Sequence, residues 1–283
     1  MDVKSYLGRI VLSRPNDGAL FIPVKAYFDG SHTGESDWKG GSHIALAGFA
    51  VGDALLAAFE DGWQAVLGDD RYRPRAPYLH MKELRSDSAK SPFSKRNGWD
   101  NTKRKRLVSD LLDYLNSLDR ERTHYFVCGV DAGAVRRRQQ QMAFPSAIRI
   151  CTHYAPHYVL KWYGEKFPGL ISSMHIFFDR DEPFEDDFKA LRRKQTSNRF
   201  EIAGNKEIWE LVKSETALSS KTKEGSALQA ADLLAWATVR QMNPTGSPFL
   251  ADVAVKAKRM VSSSWTRWND SNLDEVIDKV PTD

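Results

Sequence analysis

Three short apolar stretches of this chain each run into an aspartate, and that pattern narrows what it can fold into. Val24 to Phe28 leads to Asp29, His124 to Val130 leads to Asp131, and Met174 to Phe178 leads to Asp179. Each is short and rich in Val, Ile or aromatic residues, which favours a strand over a helix. In the first, Val24, Ala26 and Phe28 fall on one side, with Lys25, Tyr27 and Asp29 on the other. Gly30 is expected to break that strand and open a Gly- and Ser-rich loop from Ser31 to Ser42. A fourth stretch, His43 to Val51, is apolar enough to be central in a sheet and to pair antiparallel with the first.

Helical patterns lie between these strands. Asp53 is placed to cap a helix to about Leu67, with Leu55, Leu56, Phe59, Trp63 and Val66 on one face. Lys103 to Leu118 carries Leu107, Leu111, Leu112, Tyr114 and Leu115 on its apolar side. Ala147 to Lys166 is helical but interrupted by Pro156, and Glu182 to Lys194 is a charged helix. Ser226 to Met242 is the cleanest late helix, closed by Asn243-Pro244-Thr245-Gly246. Shorter elements are expected as strands at Leu7 to Leu12, Leu20 to Ile22 and Phe200 to Ala203, and as a helix at Lys206 to Val212. Asp87 to Asn101 and Ser214 to Gly225 read as polar, exposed loops, and the tail carries a helix near Phe249 to Val261 followed by Trp265 and Trp268. Strands alternating with helices, opened by a strand pair, imply one α/β layered domain with a mixed β-sheet flanked by helices.

Composition excludes several classes. With 41% hydrophobic and 28% charged residues in 283, the chain can bury a sizeable core and is not disordered. No apolar run is long enough to span a bilayer, and no signal peptide is visible. The two cysteines, Cys128 and Cys151, lack zinc-site spacing and point to a reducing, cytoplasmic setting. A net charge of +4 is compatible with a nucleic-acid partner. Basic residues cluster at Lys103 to Arg106, Arg136 to Arg138, Arg192 to Lys194 and Lys256 to Arg259, either as solvated helix faces or as a hold on phosphate. There is no Walker loop, dinucleotide fingerprint or nucleophile elbow. His153 and His157 have metal-binding spacing, but no intervening Glu serves as base and Pro156 disturbs the turn. Asp187-Phe188-Lys189 falls on a helix, where a nuclease Asp-x-Lys would need a strand.

Asp232 stands apart, because it is an acid inside an otherwise apolar helix. Leu228, Ala231, Leu234 and Ala235 form a packing stripe around it. A buried carboxylate needs a cation or hydrogen-bond donors to offset its desolvation. Set against strand-end aspartates, it would build a negative cluster suited to magnesium or manganese and to phosphodiester hydrolysis. His80 and Glu83, three apart, belong on one helical face as either a proton-transfer pair or a surface ion-pair group with Lys82 and Arg85.

Tyr27 to Ser31 (YFDGS), Tyr78 to Arg85 (YLHMKELR), His175 to Asp179 (HIFFD) and Ser226 to Ala235 (SALQAADLLA), in that order, resemble the motif series of the domain-of-unknown-function 3800 family. The resemblance spans about residues 24–242 and leaves 243–283 as a C-terminal helical extension. It implies a ribonuclease-H-like fold in which Asp29, Asp179 and Asp232 bind the metal and Glu83 or His80 is an accessory ligand or proton carrier. It further implies a metal-dependent nuclease acting on DNA or RNA, in a mobile-element or phage-defence setting. The family usually has Glu directly after the first Asp. This chain has Gly30 there, with Glu35 near enough to substitute and Asp181 as an alternative to Asp179. A degenerate, non-catalytic subunit that binds nucleic acid or protein is the competing expectation.

Overall fold

The computed structural model describes residues 24–33, 41–120, 122–166, 174–179, 183–196, 212–219, 221–243, 255–257, 265–276, 279–280 and 282. The expected elements at 7–12, 20–22, 200–203 and 206–211, together with Glu35 and Asp181, lie outside these residues.

The strands are β1 (Val24–His32), β2 (His43–Gly52), β3 (Thr123–Asp131), β4 (Met174–Asp179), β5 (Val212–Leu218) and β6 (Trp265–Trp268). The helices are α1 (Asp53–Leu67), α2 (Met81–Arg85), α3 (Asn101–Ser117), α4 (Ala132–Gln139), α5 (Ala147–Lys166), α6 (Pro183–Thr196) and α7 (Ser226–Met242). One mixed sheet has the order β5-β4-β1-β2-β3-β6. β1, β2 and β3 form an antiparallel meander; β4 lies parallel to β1, β5 parallel to β4, and β6 parallel to β3.

Strand alternation divides the core into two layers. Tyr27, Ala47, Phe49 and Val127 face α1, α3 and α7, whereas Ala26, Phe28, Leu46 and Phe126 face α5 and α6. Complete burial of Leu228, Leu233 and Leu234 on α7 contributes about 1.5–3 kcal/mol per side chain. The C-terminal half of α7 reaches β3 because Gly129 has no side chain, since a Cβ there would sit 2.5 Å from Met242 Sδ. Among the described residues no helix is long and apolar enough to cross a membrane.

Several expectations need correction. Gly30 does not break β1; it pairs with Leu46, and the strand continues to His32. Pairing with β2 supplies the backbone hydrogen bonds that outweigh glycine's weak strand preference. Gly52 takes the cap position before α1, and Asp53 opens the helix with an ion pair to Lys25 Nζ at 2.5 Å. α5 runs on through Pro156. Ser214 to Leu218 is not loop but part of β5, an outer strand with the charged residues typical of sheet edges. Asp87 to Asn101 is anchored rather than exposed: Phe93 and Trp99 are buried and meet edge-on at 5.1 Å. Buried Arg104 ties that segment down by donating from Nε and Nη2 to the Phe93 carbonyl at 2.9 and 2.7 Å. In the tail Trp265–Trp268 joins the sheet as β6, and of the helix expected near 249–261 only residues 255–257 are described, as helix.

Candidate metal centre

The parallel pairing of β1 and β4 creates the site. Phe28 is in register with Phe178, so Asp29 and Asp179 follow as the next residues on neighbouring strands, about 4.8 Å apart. Two residues earlier Tyr27 stacks on Phe177 at 4.9 Å on the α7 side of the sheet, and the strand period puts both aspartates on that side. Asp29 is buried, and its Oδ1 accepts a hydrogen bond from Gly30 N at 2.7 Å. Asp179 is half-buried.

α7 closes the site from above. Its acid, Asp232, is 8% exposed, and its Oδ2 accepts from Met81 N at 2.7 Å. One helical turn earlier, Gln229 Oε1 accepts from both Leu79 N and Trp63 Nε1 at 2.8 Å. Gln229 and Asp232 therefore hold the extended segment 79–81 at two points three residues apart on one helix face. His80 lies between those points and caps α2, with its carbonyl accepting from Leu84 N at 2.8 Å. Burial pushes the Asp232 carboxyl above its ordinary value; His80 and the Met81 N–H pull it back, and the neighbouring Asp179 pushes it up again. His80 Nδ1 is buried, has no hydrogen-bond partner among the described residues, and lies 3.8 Å from Glu83 Oε1.

Glu83 is committed to a different cluster. Its Oε1 accepts from Lys221 Nζ at 2.8 Å, its Oε2 accepts from the Tyr78 hydroxyl, and the Lys221 ammonium sits 5.3 Å over the Tyr78 ring. Burial raises the Glu83 carboxyl, but Lys221 and Tyr78 together outweigh it and hold the group below its ordinary value. Glu83 is thus an ion-pair partner at the rim of the site, with Lys221 in place of the Lys82 or Arg85 expected from sequence.

Of the five candidate residues, Asp29 sits beside Asp179 on the neighbouring strand and Asp232 feels the charges of Asp179 and His80, while Glu83 turns to Lys221. Sequence reasoning missed Gln229 and Lys221. Gln229 was signalled by its spacing of three from Asp232, whereas nothing in the sequence flags Lys221, which lies 138 residues from Glu83. Several other acids and bases among the described residues are tied within the fold. Asp131 caps α4 by accepting from Ala134 N at 2.9 Å. Arg136 donates to the Gly41 carbonyl, Arg137 pairs with Asp270, Arg138 with Asp274, and Lys256 with Asp113. These bases lie on solvated faces and are paired within the chain. Asp187 is held by Arg149 Nε at 2.8 Å on the opposite side of the sheet. His153 and His157 lie on α5, also on that far side, where burial depresses His153 to about 4 with help from His157 and Arg149.

The donor set of three carboxylates and one imidazole has the chemistry of a hard divalent-cation site. The buried Asp232 beside Asp179 carries a like-charge strain that either a proton or a cation relieves. Among the described residues, however, no three His, Cys, Asp or Glu side chains stand close enough to hold a metal ion together.

No protein-family model and no curated protein matches the chain. Among solved structures, a chain from the structure of the PCNA:RNase HII complex from Archaeoglobus fulgidus is similar at 15% identity over 82% of each chain, with a TM-score of 0.36.

Proposed function

We propose that this chain is a divalent-metal-dependent nuclease with a ribonuclease-H-like fold, of the domain-of-unknown-function 3800 kind. One observation carries the reading: Asp29 and Asp179 on adjacent parallel strands lie beneath α7, whose buried Asp232 feels the charge of Asp179. The antiparallel meander continued by the parallel strands β4 and β5 supports the fold assignment. Asp29, Asp179 and Asp232 would hold magnesium or manganese. The ion would make bound water acidic and neutralise charge on a phosphodiester. The chain's own contribution is positional. The clamp from Gln229 and Asp232 sets His80 beside the acids, where its imidazole holds or passes a proton. Burial keeps bulk water away from Asp29 and Asp232.

The experiment combines titration calorimetry with a cleavage assay. Wild-type protein binds magnesium or manganese and cleaves labelled DNA or RNA. Asp29→Asn and Asp232→Asn stay folded but lose both properties. Undiminished cleavage by either variant removes the assignment. A binding subunit without catalysis is the second reading, favoured by Gly30, which has no carboxylate and whose N–H engages Asp29 Oδ1. Retained nucleic-acid binding with no metal uptake by the wild type would select it.

A further inference from the structure

Two hydroxyls and an imidazole meet where the chain leaves β1 and enters β2. Thr33 follows β1, Ser42 precedes β2, and His43 opens it. Thr33 N donates to the His43 carbonyl at 3.0 Å, which closes the strand pair. Thr33 Oγ1 accepts from Ser42 N at 2.8 Å and from His43 N at 2.9 Å. Those two N–H groups occupy both lone pairs of the hydroxyl. In its contact with Ser42 Oγ, at 2.9 Å, Thr33 is therefore the donor. Thr33 thus serves the backbone at this end of the sheet. Ser42 Oγ does not: among the described residues its partners are two side chains, Thr33 and His43.

Ser42 is exposed, and its Oγ lies 3.0 Å from His43 Nδ1, the reach of a nucleophile to its base. His43 is half-buried, and its register partner on β3 is Asp131. Burial lowers the imidazole below its ordinary value; the Asp131 carboxylate opposes that shift and Arg267 on β6 reinforces it. The ring is therefore neutral at neutral pH, with one nitrogen that accepts a proton. Thr33 lies four residues past Asp29, about 13 Å along an extended chain. The group is thus separate from the acidic centre.

We propose that Ser42 is a nucleophile and His43 its general base, in a second site that takes activated carboxylic esters with small acyl groups. The ring proton sits on Nε2, and Nδ1 takes the Ser42 proton as Oγ attacks the acyl carbon. The bond from that carbon to the leaving oxygen breaks, the leaving group departs as an alkoxide or phenolate, and the acyl group stays on Ser42 Oγ. The hydrogen bond from Thr33 steadies the negative charge on Oγ, and Asp131 offsets the imidazolium. Once that proton has passed to solvent, His43 takes one from water, which attacks the acyl-serine. The carboxylic acid leaves and Ser42 regains its proton from His43. A neutral ester suits the place better than a phosphate, which the Asp131 carboxylate repels. Ser42 is exposed, so a long acyl chain gains no burial there.

The test uses the full chain and p-nitrophenyl acetate. Absorbance follows the released p-nitrophenolate, and mass spectrometry of proteolytic peptides locates the acetyl group. Wild-type protein is expected to carry acetyl on Ser42. Ser42→Ala abolishes that modification, and His43→Ala slows it by about 10²-fold or more. Acetyl on lysines or other serines with Ser42 unmodified overturns the proposal. An undiminished rate at Ser42 in His43→Ala overturns it as well. If circular dichroism shows that His43→Ala fails to fold, nitrogen chemical shifts of His43 in the wild type decide instead. A ring proton on Nε2 supports the pair, and one on Nδ1, which makes Ser42 the acceptor, overturns it.

Discussion

The clamp from α7 makes Gln229→Met a direct test of how the site is held. Methionine keeps the length and much of the volume of glutamine but cannot accept a hydrogen bond of comparable strength. Gln229 is completely buried, and its Oε1 serves Leu79 N and Trp63 Nε1, both at 2.8 Å. Leaving two buried N–H groups unsatisfied costs about 1–3 kcal/mol each. The sum of about 2–6 kcal/mol is a large part of a typical total stability of about 5–15 kcal/mol. At about 2–4 °C per kcal/mol, the melting temperature should drop by at least about 4 °C. Thermal unfolding followed by circular dichroism measures that loss. Hydrogen exchange locates it, with protection falling at the Leu79 amide and, through the shared segment, at Met81. A melting temperature within about a degree of wild type, together with undiminished protection at Leu79, would refute the claim that Gln229 holds this segment. If His80 serves the chemistry, the same variant should lose turnover while keeping its affinity for the metal.

Other outcomes can be measured independently. Burial keeps His153 neutral, with its folded value at about 4 against 6.5 for an ordinary histidine. Its contribution is complete above pH 6.5 and is lost as pH falls toward 4, a change of about 3 kcal/mol; denaturant unfolding of His153→Asn should show a flatter pH profile in that window, and an unchanged profile would disprove the assignment. Arg149→Met removes the guanidinium from an ion pair with Asp187 that is only 6% and 13% exposed, at an expected cost of about 3–5 kcal/mol. Arg149→Met/Asp187→Leu should recover most of that in urea unfolding, and a double variant as unstable as the single would contradict the desolvation argument. Gly48→Ala would place a Cβ 1.9 Å from the Phe126 ring, and the expected loss is about 1–3 kcal/mol. Pairing it with Phe126→Leu should restore part of the loss, and no restoration would point to a backbone cause.

The strands were readable because a period of two with Val, Ile and Phe has few other solutions. The same alternation indicated that Asp29 opposes Ala26 and Phe28, which is how it comes to face α7. α7 itself was readable from its apolar run, and Asp232 from the cost of an acid within it. The extent of β1 beyond Gly30 was not readable, because the β2 residues that pair with it, Ile44 to Leu46, lie twelve to sixteen positions away. β5 was hidden because its pairing partner β4, not its side chains, makes it a strand. The anchored 87–101 segment was hidden because its polarity obscured two aromatic anchors, Phe93 and Trp99.

By itself, then, the sequence determined the elements and the residue types: apolar strands that run to aspartates, a buried helix with an acid in it, and an α/β layering. These follow from local periodicity and from the cost of burying charge, which act within a few residues. The tertiary structure alone decided which acids meet. It set Asp29 beside Asp179 on neighbouring strands, brought Asp232 within the influence of the Asp179 charge, gave Glu83 to Lys221, and tied Arg136, Arg137, Arg138 and Lys256 to partners within the chain. Each of those outcomes depends on strand register and helix packing between residues more than fifty positions apart. Such contacts form only when loop closure is repaid by the buried core, and local pattern does not encode them.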